Sequence, residues 1–100
     1  MFIAMNRFKI SKDFCHEFEQ IWRERDSYVE QVAGFKSFNL LKSAEHEDFI
    51  LYVSHSVWEH EDAFIAWTKS EEFRLAHQQA RAPKGTYVSH PELETFTSIL

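Results

Sequence analysis

The sequence predicts one α+β domain whose strands and helices follow the order β-α-β-β-α-β. Three observations carry this. Runs of two-residue alternation stand at both ends and in the middle of the chain, with helical apolar stripes between them. Only two Gly and two Pro punctuate the 100 residues, which leaves long regular elements joined by short connections. The length itself matches a single domain covering residues 1–100.

Residues 2–10 read as the first strand. Phe2, Ala4, Asn6, Phe8 and Ile10 fall on one face, and Ile3, Met5, Arg7 and Lys9 on the other. Ser11 offers an N-cap for a helix. Phe14, Phe18, Ile21, Trp22, Tyr28, Val29 and Val32 trace its apolar stripe, with a fray or break expected near Asp26-Ser27 and a stop at Gly34. Phe35–Ser43 and Phe49–Trp58 then form a hairpin around the polar segment Ala44-Glu45-His46-Glu47-Asp48. The second of these runs is apolar on both faces, so neither face is simply left to water.

Glu59, Glu61 and Asp62 suit the first turn of a helix whose inner face carries Ala63, Phe64 and Trp67. Ser70, followed by Glu71 and Glu72, starts a second short helix. On that helix Phe73, Ala76, His77 and Ala80 share one stripe, which Pro83-Lys84-Gly85 ends. Residues 87–100 read as a final, partly irregular strand after Pro91. This order is the ferredoxin-like one, a four-stranded antiparallel sheet with helices on one side. The apolar groups on the other side call for a partner sheet, so a homodimer closing into an α+β barrel is expected.

Composition narrows the function classes. The chain is 44% hydrophobic and 16% aromatic, with ten Phe and three Trp, more large apolar surface than a domain of this size hides alone. A second chain, a bound ligand, or both would cover it. Net charge is −5 and no basic stripe occurs, which argues against nucleic acid. The start, MFIAMNRFKI, has no signal-peptide pattern, and no apolar run is long enough for a membrane span. A single Cys15 fits a reducing cytoplasm.

Three side chains stand out, each with an ordinary reading beside a functional one. Asn6 is an amide on an apolar strand face, where a neighbouring hydrogen bond would explain it. His77 lies on an apolar helical stripe and reads alone as a core or interface histidine. Trp67 reads alone as core packing. The remaining histidines, His16, His46, His55, His60 and His90, show no metal-site spacing.

Taken together the three positions say more. The chain resembles the IsdG-type haem-degrading monooxygenases of the antibiotic biosynthesis monooxygenase superfamily. The likeness rests on Ala4-Met5-Asn6-Arg7-Phe8, on Ala33-Gly34-Phe35, and on the run from Ala63-Phe64-Ile65-Ala66-Trp67 through Ser70 and Phe73 to Ala76-His77. Two departures accompany it: one extra residue between Trp22 and Gly34, and a short, different segment at Gln78–Glu92.

The resemblance implies that haem is both cofactor and substrate, with O2 and an external electron donor, from an unidentified reductase or a small reductant. It implies His77 as the axial iron ligand, Asn6 as a donor toward oxygen on the opposite face, and Trp67 as the group that pushes the macrocycle out of plane. Trp22 matches an aromatic position that contacts haem in relatives, and Val53, Phe73 and Ala76 are expected to line the cavity. Arg7, Arg74 and Arg81 are candidates for the propionates, against a plain surface role. Two other readings share the scaffold: a cofactor-free monooxygenase acting on aromatic polyketides or quinols, and a non-enzymatic haem-binding dimeric barrel.

Overall fold

A computed structural model of the chain describes residues 1–25, 28–79 and 81–100. Strand β1 spans Phe2–Ser11, helix α1 Cys15–Glu24, β2 Phe35–Glu45 and β3 Phe49–Trp58. Helices α2 (Glu61–Thr68) and α3 (Glu71–Gln79) follow, then β4 (Glu92–Thr97). The strands form one antiparallel sheet in the order β2-β3-β1-β4, so the ferredoxin-like α+β class holds. No described helix is long and apolar enough to cross a membrane.

Register assigns the two faces. β1 pairs with β3 from Phe2 opposite Trp58 to Ser11 opposite Phe49. Facing residues in such a ladder share a side of the sheet. Phe2, Ala4, Asn6, Phe8 and Ile10 therefore stand beside Trp58, Ser56, Ser54, Tyr52 and Ile50. The helices cover this side, where two apolar clusters form. One gathers Phe2, Ala4, Val29, Trp58, Ala63 and Trp67, and the other Phe8, Ile10, Cys15, Phe18 and Tyr52. Ile3, Met5, Leu41, Leu51, Val53, Val57 and Phe96 stand on the other side and join neither cluster.

The first helix is shorter than its stripe suggests. A 3-10 turn at Lys12–Phe14 precedes it, and Ser11 makes no side-chain cap. Arg25 turns extended at ψ 142°, Tyr28 adopts φ 58°, and Val29–Gln31 forms a second 3-10 turn. Val29 is still buried, so the apolar stripe is satisfied by a turn rather than by a continued helix. The break expected at Asp26-Ser27 lies outside the described residues, as does Ala80 of the α3 stripe. Strand β2 runs two residues past its expected end at Ser43, which shortens the hairpin loop.

Burial, more than surface charge, holds α1 to the sheet. Phe18 is fully buried against Phe8 and Tyr52, a gain of roughly 1.5–3 kcal/mol. The Arg23–Glu19 pair on the outer surface contributes about 0.3–0.5 kcal/mol. Glu19 matters for another reason. The buried Tyr52 hydroxyl donates to it at 2.5 Å, and Lys42 donates from 2.9 Å. Tyr52 first and Lys42 second hold the Glu19 carboxyl below its ordinary 4.5, while burial and the bond to Glu19 push the phenol up.

The entry to β2 depends on one close approach. Gly34 has φ +86°, and a Cβ there would lie 2.6 Å from the Ala63 Cβ on α2. Only glycine tolerates both conditions. Gly34→Ala should therefore destabilise by about 2 kcal/mol and lower Tm by roughly 8–16 °C. Adding Ala63→Gly should recover only part of the loss, because the positive φ remains; calorimetry of both variants checks this.

Because the folded Glu19 carboxyl titrates below its unfolded value, its stabilisation is present above about pH 4.5. It is lost as pH falls through the lowered folded value. Glu19→Gln should thus flatten the acid limb of the stability curve below about pH 4.5 relative to wild type. Urea melts between pH 3 and pH 7 measure it, and equal acid limbs would refute the assignment.

Candidate functional site

A cavity of about 320 Å³ opens between the two apolar clusters, on the helix-covered side of the sheet. That volume is near the lower end for small-molecule sites. Ala4, Asn6 and Phe8 of β1 form its floor with Ser54 and Ser56 of β3. Trp67 and Phe73 bound one end, and Phe18, Trp22 and Phe38 the other. Asn6 lies between, and among the described residues its side-chain amide makes no hydrogen bond.

The junction of α2 and α3 fixes the Trp67 end. The Ser70 hydroxyl donates to the Trp67 carbonyl at 2.7 Å and accepts from the Phe73 amide at 3.1 Å. The serine is thus the N-cap that the sequence predicts. It seats Trp67 and Phe73 edge to face, with centroids 5.5 Å apart. One turn later, His77 lies against the Phe73 ring, centroids 3.9 Å apart.

His77 lines the cavity and remains exposed. Its Nδ1 is 2.8 Å from the Phe73 carbonyl oxygen. A carbonyl only accepts, so a neutral imidazole here carries its proton on Nδ1. Nε2 is then left with its lone pair and has no partner among the described residues. This is the tautomer and the second contact that metal-binding imidazoles use.

The structure brings together Asn6, Trp67, His77, Trp22 and Phe73 around one cavity. Two expected lining residues stand elsewhere. Val53 pairs with Arg7 and Leu41, on the opposite side of the sheet from Asn6. Ala76 is fully buried and does not line the cavity. The surface cations also lie apart from it. Arg7 shares Val53's side and pairs with Glu94 at 3.7 Å, Arg74 pairs with Glu71, and Arg81 borders an outer groove beyond His77.

Two further lining residues were not legible as site residues. Arg25 holds its guanidinium 4.2 Å over the Trp22 ring, with Nε buried and unpaired among the described residues. Tyr87 bridges to Ile10 and packs against Phe8 and Phe18. Burial lowers the Arg25 pKa and raises that of Tyr87, and each opposes the other's shift. Arg25 stands just past the end of α1 and Tyr87 ahead of β4, outside any regular element, so no spacing announces them.

Residues 1–79 match the antibiotic biosynthesis monooxygenase family. The chain is 34% identical over 79 residues to a staphylobilin-producing heme oxygenase of Staphylococcus haemolyticus, covering 78% of this chain and 74% of that one. Among solved structures, a mutant MhuD with two manganese protoporphyrin IX molecules bound per active site superposes with TM-score 0.79 at 25% identity, covering 100% and 96% of the two chains. A mutant of SnoaB, a cofactor-independent oxygenase from Streptomyces nogalater, shares the fold with TM-score 0.69 at 18% identity, covering 99% and 93%.

Proposed function

The chain belongs to the antibiotic biosynthesis monooxygenase family and is an oxidoreductase, and from that premise we propose that its substrate is haem. The reaction is oxidative opening of the porphyrin ring, releasing iron and a linear tetrapyrrole. One observation carries the reading: His77 stands at an apolar cavity with Nδ1 engaged by the Phe73 carbonyl and Nε2 uncommitted. The relatives whose names include heme or a metalloporphyrin support the same substrate.

Each side chain has a role in this scheme. His77 Nε2 would hold the iron, with Phe73 fixing the orientation of the ring. Trp67, braced by Phe73 and the Ser70 junction, would pack against the macrocycle. The Asn6 amide would serve as a hydrogen-bond donor to a ligand in the cavity. Trp22 and Phe73 supply apolar walls that exclude water. Bound haem contributes a redox-active iron that activates dioxygen and the carbon framework that is oxidised. Electrons come from an external donor, a reductase or small reductant. A cytoplasmic setting suits the unpaired Cys15.

A second copy of the chain covers the open side of the sheet in this reading. Leu41 and Phe96 are each 46% exposed there, beside Ile3, Met5 and Val57. Two such sheets packed face to face bury these groups. The cofactor-free reading remains the competitor, because the cavity's modest volume also suits a small aromatic substrate.

Haemin titration followed by ascorbate in air, with catalase present, separates these readings. Wild type should saturate near one haem per chain and lose its Soret band after reductant, and His77→Ala should lose the binding. Asn6→Ala should keep binding but bleach about tenfold or more slowly. Saturable binding without bleaching would favour a non-enzymatic haem carrier, and no binding would move the search to small aromatic substrates. In sedimentation velocity, wild type should run as a dimer and Leu41→Glu as a monomer; a monomeric wild type would refute the barrel.

A further inference from the structure

We infer that Ser54 joins Asn6 as a second hydrogen-bond donor at the middle of the cavity floor, and that the pair binds one oxygen atom brought in by a ligand. The chemistry that fits is a carbonyl oxygen or an oxyanion in an otherwise apolar space. The haem reading decides only the source of that oxygen, dioxygen as co-substrate in place of a carbonyl on an aromatic substrate.

Register places the two side chains together. Asn6 of β1 stands directly opposite Ser54 of β3, and such cross-strand neighbours hold their Cβ atoms about 4.5–5.5 Å apart. Both are half-buried and both line the cavity. On its other flank Asn6 meets Leu93 of β4, and Ser54 meets Leu40 of β2. Each therefore has the other as its only polar neighbour across the ladder. β1 and β3 are the two inner strands, so both residues sit on backbone that is paired on either side.

Hydrogen bonding separates Ser54 from the other hydroxyls. The lining carries three aliphatic hydroxyls, on Ser54, Ser56 and Thr68. Ser56 donates to the Ala4 carbonyl at 3.3 Å and accepts the Trp58 indole N–H at 2.9 Å. Thr68 donates to the Ile65 carbonyl at 2.8 Å. Both are spent inside the fold. Neither the Ser54 hydroxyl nor the Asn6 amide makes a hydrogen bond among the described residues. A polar group on an apolar wall is left for water or a ligand to satisfy.

The donor set decides what that ligand presents. An amide N–H and a hydroxyl both donate, and an oxygen with two lone pairs accepts from two donors at once. The surroundings are Ala4, Phe8 and Leu93, so the two bonds strengthen as a ligand displaces water. The donors stand on paired strands and need little rearrangement to meet the oxygen. They lie between the aromatic ends of the cavity, where a flat ligand held by those ends reaches them.

The test uses 9-fluorenone and fluorene, flat molecules that differ only in a carbonyl against a methylene. Each is titrated against the full-length protein by quenching of tryptophan fluorescence, since Trp22 and Trp67 line the cavity. Ser54→Ala should lower the ketone-to-hydrocarbon affinity ratio about fivefold, and Asn6→Ala by a similar factor. Fluorene itself should stay within about twofold throughout, which reports that the cavity is intact. Ser54→Thr, which keeps the hydroxyl, should hold the ratio near its wild-type value. In infrared difference spectra the carbonyl stretch of bound fluorenone should lie lower in wild type than in Ser54→Ala, a shift that loosened packing does not produce. A ratio or a stretch that Ser54→Ala leaves unchanged, or a ketone that the cavity does not bind, overturns the pair. Parallel haemin titrations separate the two ideas. Haemin binding that depends on His77, with a ratio that Ser54→Ala leaves unchanged, sinks the pair alone. A ratio that falls in both alanine variants, in a protein that binds no haemin, upholds the pair and sinks only the haem reading.

Discussion

Asn6 interrupts an otherwise apolar strand face, and the architecture around the cavity follows from that interruption. Phe2 and Ala4 pack into one cluster and Phe8 and Ile10 into another, with the amide between them. An apolar side chain at this position would let the helices close over a continuous core. A polar one must be hydrogen-bonded or left facing a space that water or a ligand can fill. Here it faces the cavity. The site is therefore a gap between two well-packed halves rather than a depression in one of them, and its walls are as rigid as the cores that supply them.

That rigidity reaches the chemistry through a short chain of bonds. The Ser70 hydroxyl ties the end of α2 to the start of α3, which fixes the angle between Trp67 and Phe73. Phe73 then does two jobs, bracing Trp67 with its ring and setting the His77 tautomer with its carbonyl. The seating of Trp67 and Phe73 and the orientation of His77 thus depend on one helix cap. A serine there costs little in isolation, yet its loss would loosen three groups that line the cavity together.

The sequence carried most of the fold and the centre of the site, and its failures have physical causes. Strand β1 was legible from its period-two pattern, β3 as an apolar run bounded by a polar loop, and Ser70 because a cap followed by two glutamates precedes an apolar stripe. Val53 was misplaced because β3 is apolar on both sides: period two separates Val53 from Tyr52 without saying which faces the helices. Only the pairing of Val53 with Arg7 decides that. The stripe through Tyr28 to Val32 read as helix because burial of Val29 in a 3-10 turn leaves the same apolar trace. Arg25 and Tyr87 escaped notice for the opposite reason. Each sits where regular structure has stopped, and its importance comes from what the fold brings beside it.

What separates a haem enzyme from a cofactor-free one on this scaffold is the state of one nitrogen. The fold is shared with SnoaB, a cofactor-independent oxygenase. A cavity wall needs no imidazole, and a histidine serving only as packing gains most when both ring nitrogens are satisfied. His77 is satisfied at Nδ1 and exposed, beside a cavity that also holds the Asn6 amide and the Arg25 Nε–H, both unpaired among the described residues. Of these, the buried Arg25 Nε–H, without a partner among the described residues, carries a cost that folding alone does not recover. On the haem reading, a metal at the centre of a planar ligand answers the open imidazole nitrogen, which a small metal-free aromatic can meet only with a hydrogen bond.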